Sequence, residues 1–207
     1  MNLPNKLTIS RFALTAAFLW AMFARSAFND TLALFFFCLA SITDYLDGRI
    51  ARERKLITNF GILMDPLADK VLTCSAFVAL VERHALAPPP ITHIGPFAIC
   101  PRVVAWMVII IVTRELAITG LRLLAASKNV VLAAENFGKH KTISQIVALI
   151  AMLVMEAYAE WPVSVQNVLT PWVPAFAQLA LWLTVLLTAT SGLLYLYRNR
   201  ELYLNDV

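Results

Sequence analysis

Six predominantly apolar runs, each close to the length a helix needs to cross a bilayer, follow one another along this chain with little between them. They cover roughly residues 7–24, 31–51, 62–82, 103–124, 142–158 and 174–197. Hydrocarbon about 30 Å thick is crossed by a helix of about 20 apolar residues. Backbone N–H and C=O groups in that layer must satisfy one another, which makes runs of this length helices. The predicted fold class is all-α: a polytopic membrane protein with six transmembrane helices, forming one domain over residues 1–207. Composition agrees. The chain is 60% hydrophobic and 14% charged, with a mean hydropathy of +0.72, where soluble domains are about 45–50% apolar and about 25% charged. A water-soluble core in so short a chain cannot absorb that much apolar surface.

The basic residues orient the bundle. Six spans put both termini on one side, and of the 17 Lys and Arg only Arg25, Arg83 and Arg102 fall on the other. The positive-inside rule then makes both termini cytoplasmic. It also accounts for the net charge of +4 without nucleic acid, for which no basic stretch with interleaved aromatics speaks. Trp161 and Trp172 fall at the outer interface. Cys38, Cys74 and Cys100 show no CxxC or metal spacing and read as small buried hydrophobes. The opening MNLPNKLTISRF leads into an apolar run that could pass for a signal peptide; with Arg25 interrupting the cleavage region, it reads as a retained first helix.

Aspartates carry the chemical signal. Asp44 and Asp47 are spaced i, i+3 near the end of the second run, and Gly61, Asp65 and Asp69 form an i, i+4, i+8 row in the third. The short connection predicts that the two helices are antiparallel neighbours, so that four carboxylates converge across one interface. Each Asp at mid-membrane depth costs roughly 2.5–3.5 kcal/mol, so the group needs positive charge. Arg49, Arg52 and Lys70 offer some, and divalent cations with a preference for carboxylate oxygen, Mg²⁺ or Mn²⁺, offer more. Gly48 either admits a ligand to the backbone or serves small-residue helix packing.

Asp44-x2-Asp47-Gly48-x2-Ala51-Arg52-x8-Gly61-x3-Asp65-x3-Asp69 resembles the signature of the CDP-alcohol phosphotransferase family at every fixed position and both spacings. The resemblance implies two divalent cations, Mg²⁺ or Mn²⁺, held by Asp44, Asp47, Asp65 and Asp69, with Asp69 also the general base. It implies that Gly48, Ala51, Arg52 and Thr58 contact the CDP moiety. Asn5-Lys-Leu-Thr8-Ile-Ser-Arg11 resembles a further family element, whose Thr8 position lies near the diphosphate. A homodimer in a bacterial cytoplasmic membrane, its active site facing the cytoplasm and its donor the membrane lipid CDP-diacylglycerol, is implied as well.

The acceptor is read from Thr113-Arg114-Glu115-Leu116, Gly120-Leu121-Arg122 and Gly138-Lys139-His140-Lys141-Thr142. Arg114 lies inside an apolar run, where anchoring explains a charge poorly, and with Arg122 it suits a phosphate dianion. Lys128 reads as an anchoring charge, and Glu115 as either a site residue or an ion-pair partner of Arg114. The series resembles the family branch that takes sn-glycerol 3-phosphate and forms phosphatidylglycerophosphate, which would put Arg114, Arg122, Lys139 and Lys141 on the acceptor phosphate. Sister transferases making cardiolipin or a phosphatidylinositol phosphate are the alternative. A proton or ion transporter is a remoter one, because its acids would be scattered along a path rather than clustered at one end. His84 and His93 read as residues of an outer loop and His140 as structural or electrostatic.

Overall fold

The computed structural model describes the backbone of residues 3–24, 28–53, 59–87, 89, 92–94, 97–128, 130 and 137–204. Side chains are described for residues 8–24, 28–44, 46, 64, 67–87, 89, 100–128, 130, 142–200 and 202–204. Each of the six apolar runs forms a helix: α1 (Leu3–Phe23), α2 (Asn29–Glu53), α3 (Asn59–Leu86), α4 (Ala105–Ser127), α5 (Phe137–Ala157) and, after a short α6 (Val163–Leu169), α7 (Val173–Arg198). A final turn, α8, spans Glu201–Leu204, and a 3₁₀ turn covers Tyr158–Glu160. The Pro-rich connection before α4 holds a feature the all-α expectation did not include. Strands β1 (Thr92–Ile94) and β2 (Phe97–Ile99) pair antiparallel, Thr92 opposite Ile99. Among the described residues, two helical runs, Thr142–Glu160 and Val173–Arg198, are long and apolar enough to cross a membrane, and Thr8–Phe23 is a shorter apolar helix.

Helix α1 is the hub of one half of the bundle. It packs along α2 and α3, which touch each other much less, while α5 and α4 both lie against α7. The expectation that α2 and α3 are direct neighbours is thus modified: α1 mediates between them. The shared core runs through Phe18, Phe37, Phe77, Leu80, Leu149 and Leu181, all fully buried, with the Phe18 and Phe37 rings 5.7 Å apart between centroids. Large apolar side chains also face outward, Leu179 68% and Leu193 69% exposed. Contiguous apolar surface of this kind suits lipid rather than water. Hydroxyl groups behave accordingly. Thr15, Ser41 and Thr119 donate to the carbonyls of Arg11, Phe37 and Glu115 one turn back, at 2.8, 2.9 and 2.8 Å, leaving few polar atoms unsatisfied in an apolar setting. Thr184 of α7 reaches across to the Ser144 carbonyl of α5 at 2.9 Å.

At the end of α2 and α3 remote from the aspartates, a polar knot joins four segments. Arg83 places Nη2 2.5 Å from Asp30 Oδ2 and Nε 2.8 Å from Glu156 Oε2. His84 is fully buried in the last turns of α3 and not in a loop, correcting the sequence reading, because the helix continues to Leu86. Its Nδ1 accepts the Val103 N–H at 2.9 Å, so the neutral ring carries its proton on Nε2 and donates to Glu156 Oε1 at 3.0 Å. Glu160 caps α2. Its carboxylate accepts the backbone N–H groups of Asp30 and Thr31, each at 2.9 Å, and the Thr31 hydroxyl at 2.6 Å, where helix N–H groups lack partners of their own. Trp161 donates from Nε1 to Thr31 Oγ1 at 2.9 Å. The cysteines differ from expectation too: Cys38 and Cys74 are half-buried and Cys100 is exposed.

Removing Arg83 would leave Asp30 and Glu156 facing each other without their shared cation. Breaking a fully buried pair costs roughly 3–5 kcal/mol, and Arg83 is partly exposed. Arg83→Ala is therefore expected to cost on the order of 2 kcal/mol, measured as a lower unfolding midpoint in detergent.

Candidate active site

The sequence puts the signature residues near the ends of two helices, and the backbone has them there. Asp44, Asp47, Gly48, Ala51 and Arg52 occupy the last turns of α2, and Asp65 and Asp69 the first turns of α3. The side chains of Asp47, Gly48, Ala51, Arg52 and Asp65 lie outside the described residues, and so does Thr58 altogether. Asp44 and Asp69 are described. The Asp44 carboxylate is 40% exposed and Asp69 is half-buried, so both are reachable oxygen donors. Among the described residues no group of three or more His, Cys, Asp or Glu side chains gathers at one point.

Arg11 is the residue that sequence reasoning quoted but gave no role. It is completely buried on α1, and its Nη1 lies 2.5 Å from Asp44 Oδ1. Burying a guanidinium is costly unless a carboxylate answers it. Asp44 is thus held by the helix that packs on both α2 and α3. Thr8 sits one turn before Arg11 on α1, also buried. The spacing Thr8-x2-Arg11, a polar pair within an apolar run, was the available signal.

Across α3 and α4 the structure gathers positive charge. Lys70 Nζ donates to Thr119 Oγ1, and the Lys70 ammonium lies within electrostatic range of Asp69, Arg114 and Arg122. Arg114 in turn feels Arg122. Arg114 is only 14% exposed, and its one described ionic contact, Nη1 to Glu115 Oε1, is long at 3.5 Å. Glu115 also receives Gln145 Nε2 at 3.4 Å, so it belongs to a polar link between α4 and α5. Like charges repel, and the more so the lower the local dielectric. Three cations kept in mutual range next to one aspartate therefore make a place where an anion is welcome. Lys139 and Lys141, expected in a loop, fall in the first turns of α5 instead, because the helix starts at Phe137. Their side chains, like that of His140, lie outside the described residues. Lys128, read as an anchoring charge, donates from Nζ to the Leu202 carbonyl at 3.0 Å. His93 lies in β1, far along the chain from the aspartate turns, and its side chain is likewise outside the described residues.

Comparison with known proteins agrees with these elements. Residues 1–190 match the CDP-alcohol phosphatidyltransferase family. The chain is 40% identical to a CDP-diacylglycerol–glycerol-3-phosphate 3-phosphatidyltransferase of Bacillus subtilis (strain 168), over 97% of this chain and 96% of that one. It is 30% identical to a protein of the same description from Rickettsia bellii (strain RML369-C), over 94% and 93% of the two chains. A cardiolipin synthase (CMP-forming) of Oryza sativa subsp. japonica is 33% identical over 74% of this chain and 46% of its own length. With the signature aspartates at the ends of two helices and a full-length match to two bacterial relatives, the chain belongs to the CDP-alcohol phosphatidyltransferase family.

Proposed function

We propose that this protein transfers the phosphatidyl group of CDP-diacylglycerol to sn-glycerol 3-phosphate and releases CMP, forming phosphatidylglycerophosphate. The observation that carries the reading is the cluster of Lys70, Arg114 and Arg122 beside Asp69. An acceptor that is itself a phosphate monoester brings two negative charges to three waiting cations. An uncharged alcohol such as inositol would leave them uncompensated. The relatives of B. subtilis and R. bellii act, by their names, on CDP-diacylglycerol and glycerol 3-phosphate, which supports the same donor and acceptor here. The rice relative supports a second reading, in which phosphatidylglycerol is the acceptor.

In the proposed reaction the glycerol hydroxyl attacks the β-phosphorus of the donor. The bond from that phosphorus to the bridging oxygen breaks, and CMP leaves with the electron pair. Asp69 takes the hydroxyl proton, within reach of a substrate phosphate held by Lys70, Arg114 and Arg122. Lys139 and Lys141, at the start of α5, are proposed to close the acceptor site. Thr8, Gly48, Ala51, Arg52 and Thr58 are proposed to hold the nucleotide end. Asp44, Asp47, Asp65 and Asp69 fit Mg²⁺ or Mn²⁺ as a donor set of hard carboxylate oxygens, and the buried guanidinium at Asp44 marks a position where negative charge demands compensation. When bound, two such cations would supply electrostatic relief to the diphosphate and to the departing CMP. The same reading has six membrane spans, both termini in the cytoplasm and the site at the cytoplasmic face of a bacterial inner membrane, so that water-soluble acceptor and CMP exchange with the cytosol while the diacyl chains stay in lipid.

Radiolabelled sn-glycerol 3-phosphate, incubated with CDP-diacylglycerol and Mg²⁺ or Mn²⁺, is expected to yield labelled phosphatidylglycerophosphate and equimolar CMP; labelled lipid formed only from phosphatidylglycerol would establish the second reading instead. Asp69→Asn should lower turnover by about 10²–10⁴-fold with an unchanged unfolding midpoint, and normal CMP release from it would contradict the base assignment. Arg11 compensates Asp44 whether or not a cation is bound. Arg11→Met is therefore expected to lower the unfolding midpoint of the ion-free protein and to enlarge the rise in midpoint caused by Mn²⁺, a rise no larger than that of the parent being the opposing result.

A further inference from the structure

The space that Arg114 occupies is made by a glycine on another helix. Arg114 of α4 and its neighbour Thr113 border a cleft of about 400 Å³ between α4 and α7, otherwise walled by apolar residues such as Ile110, Ala189, Leu193 and Leu196. Gly192 of α7 forms the opposite wall. A Cβ placed there would meet Arg114 Cγ at 2.7 Å, Arg114 Cβ at 3.6 Å and Arg114 Cδ at 3.9 Å. The first of these is closer than side-chain atoms approach one another, so a methyl group at Gly192 and the present course of the arginine stem exclude each other. Gly120, on α4 itself, is the opposite case: a Cβ there meets nothing within 4 Å.

The stem's course matters because of what it carries. Arg114 Nε is buried and has no hydrogen-bond partner among the described atoms, and the guanidinium stays within electrostatic range of Arg122 and Lys70. An arginine stem displaced from α7 would carry its guanidinium to a different position relative to the other two cations. Small residues at helix contacts commonly serve packing alone. Here the contact is with the methylenes of a charged side chain, so removing the Cβ sets where a guanidinium lies.

We propose that Gly192 is a positioning residue for the acceptor phosphate, acting through Arg114. The inference rests on the assignment of Arg114 to acceptor binding made above. Gly192→Ala is expected to raise KM for sn-glycerol 3-phosphate about tenfold, the loss of roughly one charge-assisted hydrogen bond. Turnover at saturating acceptor and KM for CDP-diacylglycerol should stay within about twofold of the parent.

A double-substitution cycle separates this from general loosening of the bundle. Arg114→Ala removes the Cγ that a new Cβ would strike, so adding Gly192→Ala to it should raise acceptor KM no further. If Gly192→Ala alone does not accumulate as folded protein, the Arg114→Ala, Gly192→Ala pair should, since the clash is gone; failure of both overturns the proposal. An acceptor KM unmoved by Gly192→Ala, or raised equally in the presence and absence of the arginine, also overturns it, leaving the role of Arg114 intact. An acceptor KM unmoved by Arg114→Ala would remove the assignment of Arg114 itself, and the positioning role with it.

Discussion

Charge inside an apolar bundle must be answered locally, and the structure answers it differently at its two ends. Moving an ion out of water costs several kcal/mol even after relaxation, so each buried ion in this protein implies a counterpart. At the end remote from the signature, the counterparts are all protein. Arg83 satisfies Asp30 and Glu156, His84 bridges Glu156 to the Val103 backbone, and Glu160 caps α2. That end is closed. Among the described residues it ties α2, α3 and α5 together with the turn after α5.

The signature end is balanced differently. Only Asp44 has a described internal counterion that is fully buried, Arg11. Beside Asp69, three cations from α3 and α4 lie in one another's range. Among the described residues, basic side chains of α3 and α4 lie beside Asp69, an arrangement suited to a substrate that carries a phosphate. The two ends are complementary: the knot at one end holds the helices whose other ends carry the signature residues. Helix α1 contributes to both, packing on α2 and α3 and carrying the arginine that fixes Asp44.

Much of this was legible in the sequence, for identifiable reasons. The six long helices follow from apolar run length, which depends only on local composition. The signature's position at helix ends follows from spacings of three and four residues. What escaped was non-local. The contact between Asp30 and Glu160 joins residues 130 apart, and nothing near Arg83 in sequence announces its two carboxylate partners. His84 was misplaced because a Pro-rich stretch suggested a loop, whereas the helix runs on to Leu86. Lys139 and Lys141 were placed in a loop because a basic segment breaks the hydropathy signal without breaking the helix. The close approach of Gly192 to Arg114 depends on how α7 lies on α4, which no sequence window contains.

The central claim is that the signature end is built to be completed by ions from outside the chain. Calorimetric titration of CDP into the detergent-solubilised protein addresses it directly, once with Mn²⁺ and once with chelator. Binding that is strong with the cation and lost without it is the predicted result. Equal CDP affinity in both conditions would show that the protein's own charges suffice, and the account of this end would be wrong.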